Sequence, residues 1–245
     1  MEYLFRTLKA DEIDCRISQI DKGWCSLLLY KDARVDMDIL DETLGVMNWK
    51  KDYQLIDGQL FCSISIWDEN KQQWISKQDV GVESFSQEEK GRASDAQKRS
   101  AFCFGIGREL YTAPSIFIYP KKEITYKYNG KQVEEFYENK DGKYTTKTRF
   151  YVDYIDYDEN RKIKDLLIRD NKNNIRFEEL SKETEKSRNK KLLLLKDLIE
   201  KNEDKDDKFN REDLYKYFGA SIDAQLKWDD LDKAIELLKK KLESE

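Results

Sequence analysis

The chain has 245 residues, of which 39% are charged and 39% hydrophobic, and its formal net charge is −5. It has no histidine, and its four cysteines form no C-x-x-C pair, which argues against a structural zinc site and against histidine-based acid–base chemistry. No apolar run approaches the ~18 residues of a membrane helix, so we expect a soluble, intracellular protein with reduced thiols and no membrane contact.

The first third of the chain mixes helical and strand patterns. The patterns predict, in order, a helix at 8–20, a strand at 24–30, a helix at 33–44 and a β-meander with strands at 49–56, 60–67 and 73–82. Gly45 is a natural stop for the second helix, and Asp57-Gly58 is typical of a tight hairpin turn. This meander is the clearest strand pattern in the sequence.

The rest of the chain begins with a long helix, for which Ser86 and Glu89 form a capping box. The predicted elements are a helix at 87–104, an extended loop or weak hairpin at 119–147, strands at 149–157, 164–170 and 175–180, a basic helix at 187–201, a charged linker at 202–208, and helices at 211–218 and 229–242. We therefore predict an α+β fold, in which an antiparallel β-meander packs on a long helix and a small all-α appendage follows at the C-terminal end.

Positive charge is concentrated in two segments of this acidic chain. Residues 90–108 hold five cations and one anion, and residues 121–149 hold eight cations and five anions. In the first segment the cations would line the exposed face of the predicted long helix and its end; they are Lys90, Arg92, Lys98, Arg99 and Arg108. Such a row suits a phosphate backbone, because each bound cation releases a condensed counterion. A solvated helix face is the alternative interpretation.

Aromatic and acidic residues suggest two further possibilities. Trp49, Trp67, Trp74 and Tyr111 could stack on bases, although rings on strands also form cores. Three groups of carboxylates could in principle hold Mg²⁺ for phosphodiester cleavage, although solvated charge and turn chemistry also explain them. These groups are Asp36, Asp38, Asp41 and Glu42; Asp79 and Glu83; and Asp153, Asp156 and Asp158. No P-loop motif is present in the sequence, so we expect no nucleotide cofactor.

The order of residues between about 8 and 112 resembles a known family. The residues that carry the resemblance are Ala33-Arg34, Leu40-Asp41-Glu42, Gly45-Val46, Asn48-Trp49-Lys50, Cys62-Ser63-Ile64-Ser65-Ile66, Trp74, Lys77, Gly81, Glu83, Lys90-Gly91, Ser94, Ala96, Lys98-Arg99, Gly105-Ile106-Gly107-Arg108 and Leu110-Tyr111. Together they resemble the phage Sak-type single-strand annealing proteins, which are relatives of the eukaryotic Rad-fifty-two recombination mediator.

The resemblance implies an oligomeric ring or arc that holds single-stranded DNA by its phosphates and leaves the bases exposed for pairing. By motif position, Arg34 resembles an arginine of the inner DNA site, and Lys98-Arg99 resemble the pair that grips the backbone. Arg108 resembles the arginine of the Gly-x-Gly-Arg end, whereas Phe102 replaces a further basic residue of the eukaryotic branch. The full set of expected DNA-binding residues is Arg34, Lys50, Lys77, Lys90, Arg92, Lys98, Arg99 and Arg108, with Trp74 and Tyr111 for base stacking.

The first hypothesis is therefore an ATP-independent annealing protein for recombination and repair, without catalytic residues or a metal, in the cytoplasm of a bacterial host. Residues 1–180 would form the DNA-binding and oligomerisation core, 181–208 a basic helix and linker, and 209–245 a small helical interaction domain. That last domain could bind a single-strand-binding protein or an exonuclease. The alternatives are a Mg²⁺-dependent nuclease that uses the carboxylate groups and a scaffold subunit of replication.

Overall fold

A computed structural model describes residues 5–82, 88–205 and 210–243. The strands are β1 (Asp14–Ile20), β2 (Cys25–Tyr30), β3 (Trp49–Ile56), β4 (Gln59–Asp68), β5 (Gln73–Val80), β6 (Ile116–Ile118), β7 (Thr125–Tyr128), β8 (Lys131–Glu134), β9 (Tyr137–Glu138), β10 (Tyr144–Thr145), β11 (Phe150–Tyr157), β12 (Ile163–Asp170) and β13 (Ile175–Glu179). The α-helices are α1 (Ala33–Leu44), α2 (Glu88–Phe104), α3 (Lys182–Lys205), α4 (Arg211–Tyr217) and α5 (Trp228–Glu243). The predicted α+β class is confirmed.

The chain divides into two compact units. The first contains the described residues of 1–14, 29–113 and 159–162, and the second those of 15–28, 114–158 and 163–245. The boundaries predicted from the sequence at residues 180 and 208 concern DNA binding and self-association, and they stay predictions.

The first unit is built on the meander that the sequence predicts. Strands β3, β4 and β5 are consecutive antiparallel neighbours, and Trp49 lies opposite Ile66. Asp57 and Gly58 join β3 to β4 with positive φ angles of 49° and 75°, which match the twist of a tight hairpin. Helix α2 packs on β4 and β5, and Ile64 is fully buried. The meander packed on a long helix is therefore confirmed.

Helix α1 has the ends that its sequence predicts. The Asp32 carboxylate accepts a hydrogen bond of 2.8 Å from the backbone N–H of Arg34, which satisfies a free donor of the first turn. At the other end Gly45, with φ of 79°, donates its N–H to the Asp41 carbonyl at 2.9 Å. A residue with a side chain is strained at such a φ, so glycine ends the helix here.

The second unit contains a nearly closed antiparallel sheet. Its strands are ordered β13-β12-β11-β1-β2-β6. The two ends of this order approach each other, since Arg176 of β13 donates a hydrogen bond of 2.8 Å to the carbonyl of Tyr119, just beyond β6. The same guanidinium pairs with the buried carboxylates of Glu135 and Asp170. Charged groups in this interior are therefore paired, as buried charges must be.

The C-terminal helices pack on one another in the second unit. Leu195 and Leu198 of α3 share a buried cluster with Leu231 and Leu238 of α5. Arg169 of β12 joins this segment to the sheet with several bonds: its guanidinium pairs with Asp153 at 2.6 Å and donates to the carbonyls of Ala224 and Leu226 at 2.9 and 2.8 Å. The predicted C-terminal helical segment is present, and this buried arginine anchors it.

The predicted helix at 8–20 is wrong. The structure has a short 3-10 turn at Ala10–Glu12 followed by strand β1. Through most of β1, exposed residues such as Asp14 and Arg16 alternate with partly buried Cys15 and Ile17, which is the two-residue period of a strand. The weak helical spacing gave way to pairing with the neighbouring β2 and with β11, which is distant in the chain.

Two other expectations need correction. The linker predicted to begin at Asn202 is helical through Lys205, because the buried Asn202 amide donates to the Leu198 and Leu238 carbonyls; residues 206–208 lie outside the described part. The segment 119–147 forms two small hairpins, β7–β8 and β9–β10. Strand β6 was not predicted. Among the residues that the structure describes, no helix is long and apolar enough to cross a membrane.

Candidate nucleic-acid interface

Helix α2 carries four of the eight expected DNA-binding cations, and buried contacts fix its position on the meander. The Ser100 hydroxyl accepts a hydrogen bond from the Ile64 backbone N–H at 3.2 Å and donates one to the Lys77 carbonyl at 2.9 Å. At the other end of the contact, a Cβ on Gly81 would lie 2.2 Å from the Arg92 carbonyl oxygen. The helix therefore approaches β5 at a distance that only glycine permits.

The cations along α2 differ in what balances their charge. Arg99 forms an ion pair of 3.1 Å with Asp95, one turn earlier, and Arg92 donates to the carbonyl of Gly58 at the β3–β4 turn. Lys98 is half-buried and forms no ion pair with any described carboxylate. Of the adjacent Lys98-Arg99 pair, only the lysine therefore presents an unbalanced charge. The side chain of Lys90 and the predicted Ser86–Glu89 capping box lie outside the described residues.

Two further expected residues converge on the C-terminal end of α2. Lys77 Nζ donates to the Cys103 carbonyl at 2.7 Å, and Arg108 Nη2 donates to the carbonyls of Phe102 and Cys103 at 2.6 and 3.2 Å. The Cys103 carbonyl is one of those that a helix end leaves without an intrahelical partner, and the Phe102 carbonyl also accepts the Gly105 N–H at 3.0 Å. Carbonyls do not neutralise a cation, and neither side chain pairs with a carboxylate in the described ranges. Two exposed positive charges therefore lie together at this end.

Tyr111 lies at the same end of α2. Its ring packs edge-on against Phe102, with centroids 5.2 Å apart, and the residue is 73% exposed. An exposed ring beside two cations suits the stacking of a base whose phosphate is bound nearby. The structure thus brings Lys77, Arg108 and Tyr111 together at one end of the helix.

Lys50 and Trp74 lie on the opposite face of the meander from Lys77. Lys50 is paired across the strands with Ser65, whereas Lys77 is paired with Ile64, the adjacent residue on β4. Since successive residues of a strand point to opposite faces, the two lysines are on different faces. Lys50 Nζ lies 4.6 Å from the centre of the Trp74 ring, an arrangement that forms a cation–π contact. The residues expected on the meander therefore form two groups, not one surface.

Arg34 is exposed at the start of α1 and pairs with no carboxylate among the described residues. A direct bond links this end of α1 to α2, because the Gln97 side-chain amide donates to the Ala33 carbonyl at 2.7 Å. Gln97 precedes Lys98 in the helix; burial raises the pKa of the Asp36 carboxyl on α1, and the charge of Lys98 lies close enough to oppose that rise in part. Arg34 and Lys98 each follow directly after a residue of this α1–α2 bond.

A buried ion pair lies beneath this contact and was not predicted. Lys31 and Asp36 are 1% and 0% exposed and pair with each other, and Lys31 Nζ lies 4.7 Å from the centre of the Phe102 ring. Burial raises the pKa of Asp36 to about 6, and desolvation lowers the pKa of Lys31. A Cβ on Gly107 would lie 2.2 Å from Lys31 Cε. The glycine of the Gly-x-Gly-Arg motif thus makes room for the lysine.

Lys51 and Gln97 are further polar residues that the sequence did not single out. Lys51 lies on the helix-facing side of β3, and its Nζ donates to Gln97 Oε1 at 2.8 Å. Strand alternation could have identified it, since a lysine at this register must meet either a counter-ion or a polar acceptor.

Three carboxylates of the predicted acidic groups have separate structural partners. Asp41 accepts from the Trp49 indole at 2.6 Å, Glu42 pairs with Arg6, and Asp153 pairs with Arg169. In the described residues, no group of three or more aspartate, glutamate, cysteine or histidine side chains is placed to hold a metal ion. Glu83 lies outside those residues.

Comparison with known proteins adds no assignment to this geometry. No protein-family model matches the chain. No curated protein matches it either.

Proposed function

We propose that this protein binds single-stranded DNA by its phosphates and anneals complementary strands, without a nucleotide and without covalent chemistry. The observation that carries the proposal is the set of cations on and beside α2 that no described carboxylate neutralises, together with the exposed Tyr111 ring. These cations are Arg34, Lys77, Lys98 and Arg108. They lie on an acidic protein, so their clustering is more informative than the net charge of −5.

Self-association is part of the proposal. In the described part of the chain, β3 and β5 each have β4 as their neighbour in the sheet and leave their other edge unpaired. Unpaired edges readily accept strands of another chain. A ring or arc of subunits would place the α2 cations of successive copies along one strand of DNA, which is the arrangement that the resemblance implies.

The test is the salt dependence of binding to a labelled oligonucleotide in EDTA. In a plot of log K against log salt concentration, each phosphate contact contributes about −0.7 to the slope for single strands. We expect Lys98→Ala to make this slope shallower by about 0.7 and Arg99→Ala to change it less, because Asp95 already shares the Arg99 charge. An unchanged slope in both variants, or no binding by the wild-type protein, would refute the proposal.

A further inference from the structure

Three elements meet at the side chain of Gln97. Its amide nitrogen donates to the Ala33 carbonyl of α1 at 2.7 Å, and its amide oxygen accepts from Lys51 Nζ of β3 at 2.8 Å. The Tyr53 hydroxyl lies 3.3 Å from the same oxygen. Gln97 is 97% buried, so these bonds replace the water that its amide would otherwise bind.

The Lys51 ammonium lies among neutral partners in this arrangement. An ammonium has three N–H donors, and Lys51 directs one to Gln97 Oε1 and one to the Met37 sulfur, 3.4 Å away. Both partners are neutral, and no carboxylate of the described residues pairs with Lys51. The side chain is half-buried, so one donor and the charge remain available to a ligand.

We propose that Lys51 is a further phosphate-binding residue and that Gln97 is the positioning residue that holds it beside Arg34 and Lys98. The inference rests on the single-strand binding proposed above. Arg34 follows the residue whose carbonyl Gln97 binds, and Lys98 follows Gln97 itself. One buried, uncharged amide thus binds the Lys51 ammonium and joins β3 to α1 and α2 next to the positions of Arg34 and Lys98 in the chain.

The alternative is that Lys51 is a purely structural link between strand and helix. A structural role predicts a change in stability when Lys51 is replaced, but no specific change in how binding depends on salt. The salt slope therefore separates the two roles, since it counts phosphates in contact with cations.

The experiment measures binding of a fluorescein-labelled oligo-dT by the full-length protein between 0.05 and 0.4 M NaCl. Lys51→Met retains the aliphatic length and removes the charge; we expect a slope shallower by about 0.7 and affinity about fivefold weaker at 0.1 M salt. Lys51→Arg should retain the slope. The matched control is Lys71→Met, which removes an exposed lysine at the β4–β5 turn that is paired with Asp68, and it should leave the slope unchanged.

Gln97→Glu provides a second variant if Lys51→Met fails to fold. A carboxylate in place of the amide would pair with Lys51 and neutralise it, so the slope should again become shallower. This inference is overturned if Lys98→Ala changes the slope but Lys51→Met does not. If Lys51→Met does not fold, the same comparison is made with Gln97→Glu. If Lys98→Ala also leaves the slope unchanged, the proposed single-strand binding fails as well.

Discussion

The cations of the candidate interface fall into two kinds at the scale of single residues. Arg99 is balanced by a carboxylate one helical turn away, whereas Lys77 and Arg108 are bound to backbone carbonyls and keep their charge. A sequence shows the number of cations but not their partners. The structure therefore reorders the candidates, and it adds Lys51, which lies on the helix-facing side of β3.

The Lys31–Asp36 pair is the residue-scale feature with the largest expected effect on stability. We expect Asp36→Leu to lower the free energy of unfolding by about 3–5 kcal/mol, because it leaves the Lys31 ammonium buried without a counter-ion. The double variant Lys31→Met with Asp36→Leu should recover most of this loss, since apolar residues of similar volume often replace a buried pair without cost. Urea unfolding of the wild type, both single variants and the double variant measures the coupling.

If the double variant loses as much stability as the two single variants added together, the two residues are not coupled and the contact does not stabilise the fold as described. An exposed pair gives the control: Lys233→Met removes the partner of Asp230 on the surface of α5. That change should alter the free energy of unfolding by less than about 1 kcal/mol.

At the scale of elements, α2 depends on one close approach to β5. We expect Gly81→Ala to destabilise the protein by about 2–4 kcal/mol, since the new Cβ would lie 2.2 Å from the Arg92 carbonyl and the helix must move away. DNA binding should weaken with it, because Lys98 and Arg99 move with the helix. Gly23→Ala is the control: nothing lies within 4 Å of its Cβ position, and its φ is not in the left-handed region.

Thermal unfolding followed by circular dichroism measures both variants. A Gly81→Ala protein as stable as Gly23→Ala would show that the contact between α2 and β5 is loose. In that case the positions assigned to the α2 cations would not hold.

Much of the element order could be predicted from local signals. The meander, α1 and the later strands have alternation, turn glycines and caps within the segments themselves, as at Asp57-Gly58 and Gly45. Strand β1 could not be predicted, because its own spacing is ambiguous and one of its two neighbours in the sheet, β11, lies far along the chain. The buried Asn202 amide binds the carbonyl of Leu238, 36 residues later, so the continuation of α3 beyond Asn202 could not be predicted from local sequence either.

The candidate site could be predicted only in part, for a related reason. The sequence shows which residues are cationic. Strand register decides which of those residues lie on the same surface. Lys50 and Lys77 were expected in one set, and pairing with adjacent residues of β4 separates them onto two faces. Gln97 carries no charge, so nothing in a charge pattern distinguishes it.

At the scale of the whole molecule, the C-terminal helical segment is tied to the sheet of its own unit by Arg169. We expect Arg169→Leu to lower the free energy of unfolding by about 3–5 kcal/mol, because Asp153 would lose its buried counter-ion and the carbonyls of Ala224 and Leu226 their donors. Urea unfolding measures the loss. Lys201→Met, which removes an exposed ion pair within α3, should cost less than about 1 kcal/mol.

If the Arg169→Leu variant has the same free energy of unfolding as the wild type, these helices are attached more weakly than the contacts indicate. The same contacts bear on truncation. A chain that ends before residue 210 lacks the Ala224 and Leu226 carbonyls that Arg169 binds, so loss of activity in such a chain would not by itself show that the helices bind a partner.

Annealing itself is the most direct test of the central claim. Two complementary oligonucleotides, one with a donor dye and one with an acceptor, are mixed with the full-length protein in EDTA and without ATP, and energy transfer reports pairing. We expect pairing well above the rate of the protein-free strands, and a slower rate with Lys98→Ala. Pairing at the protein-free rate, or acceleration that appears only when ATP or Mg²⁺ is added, would contradict it.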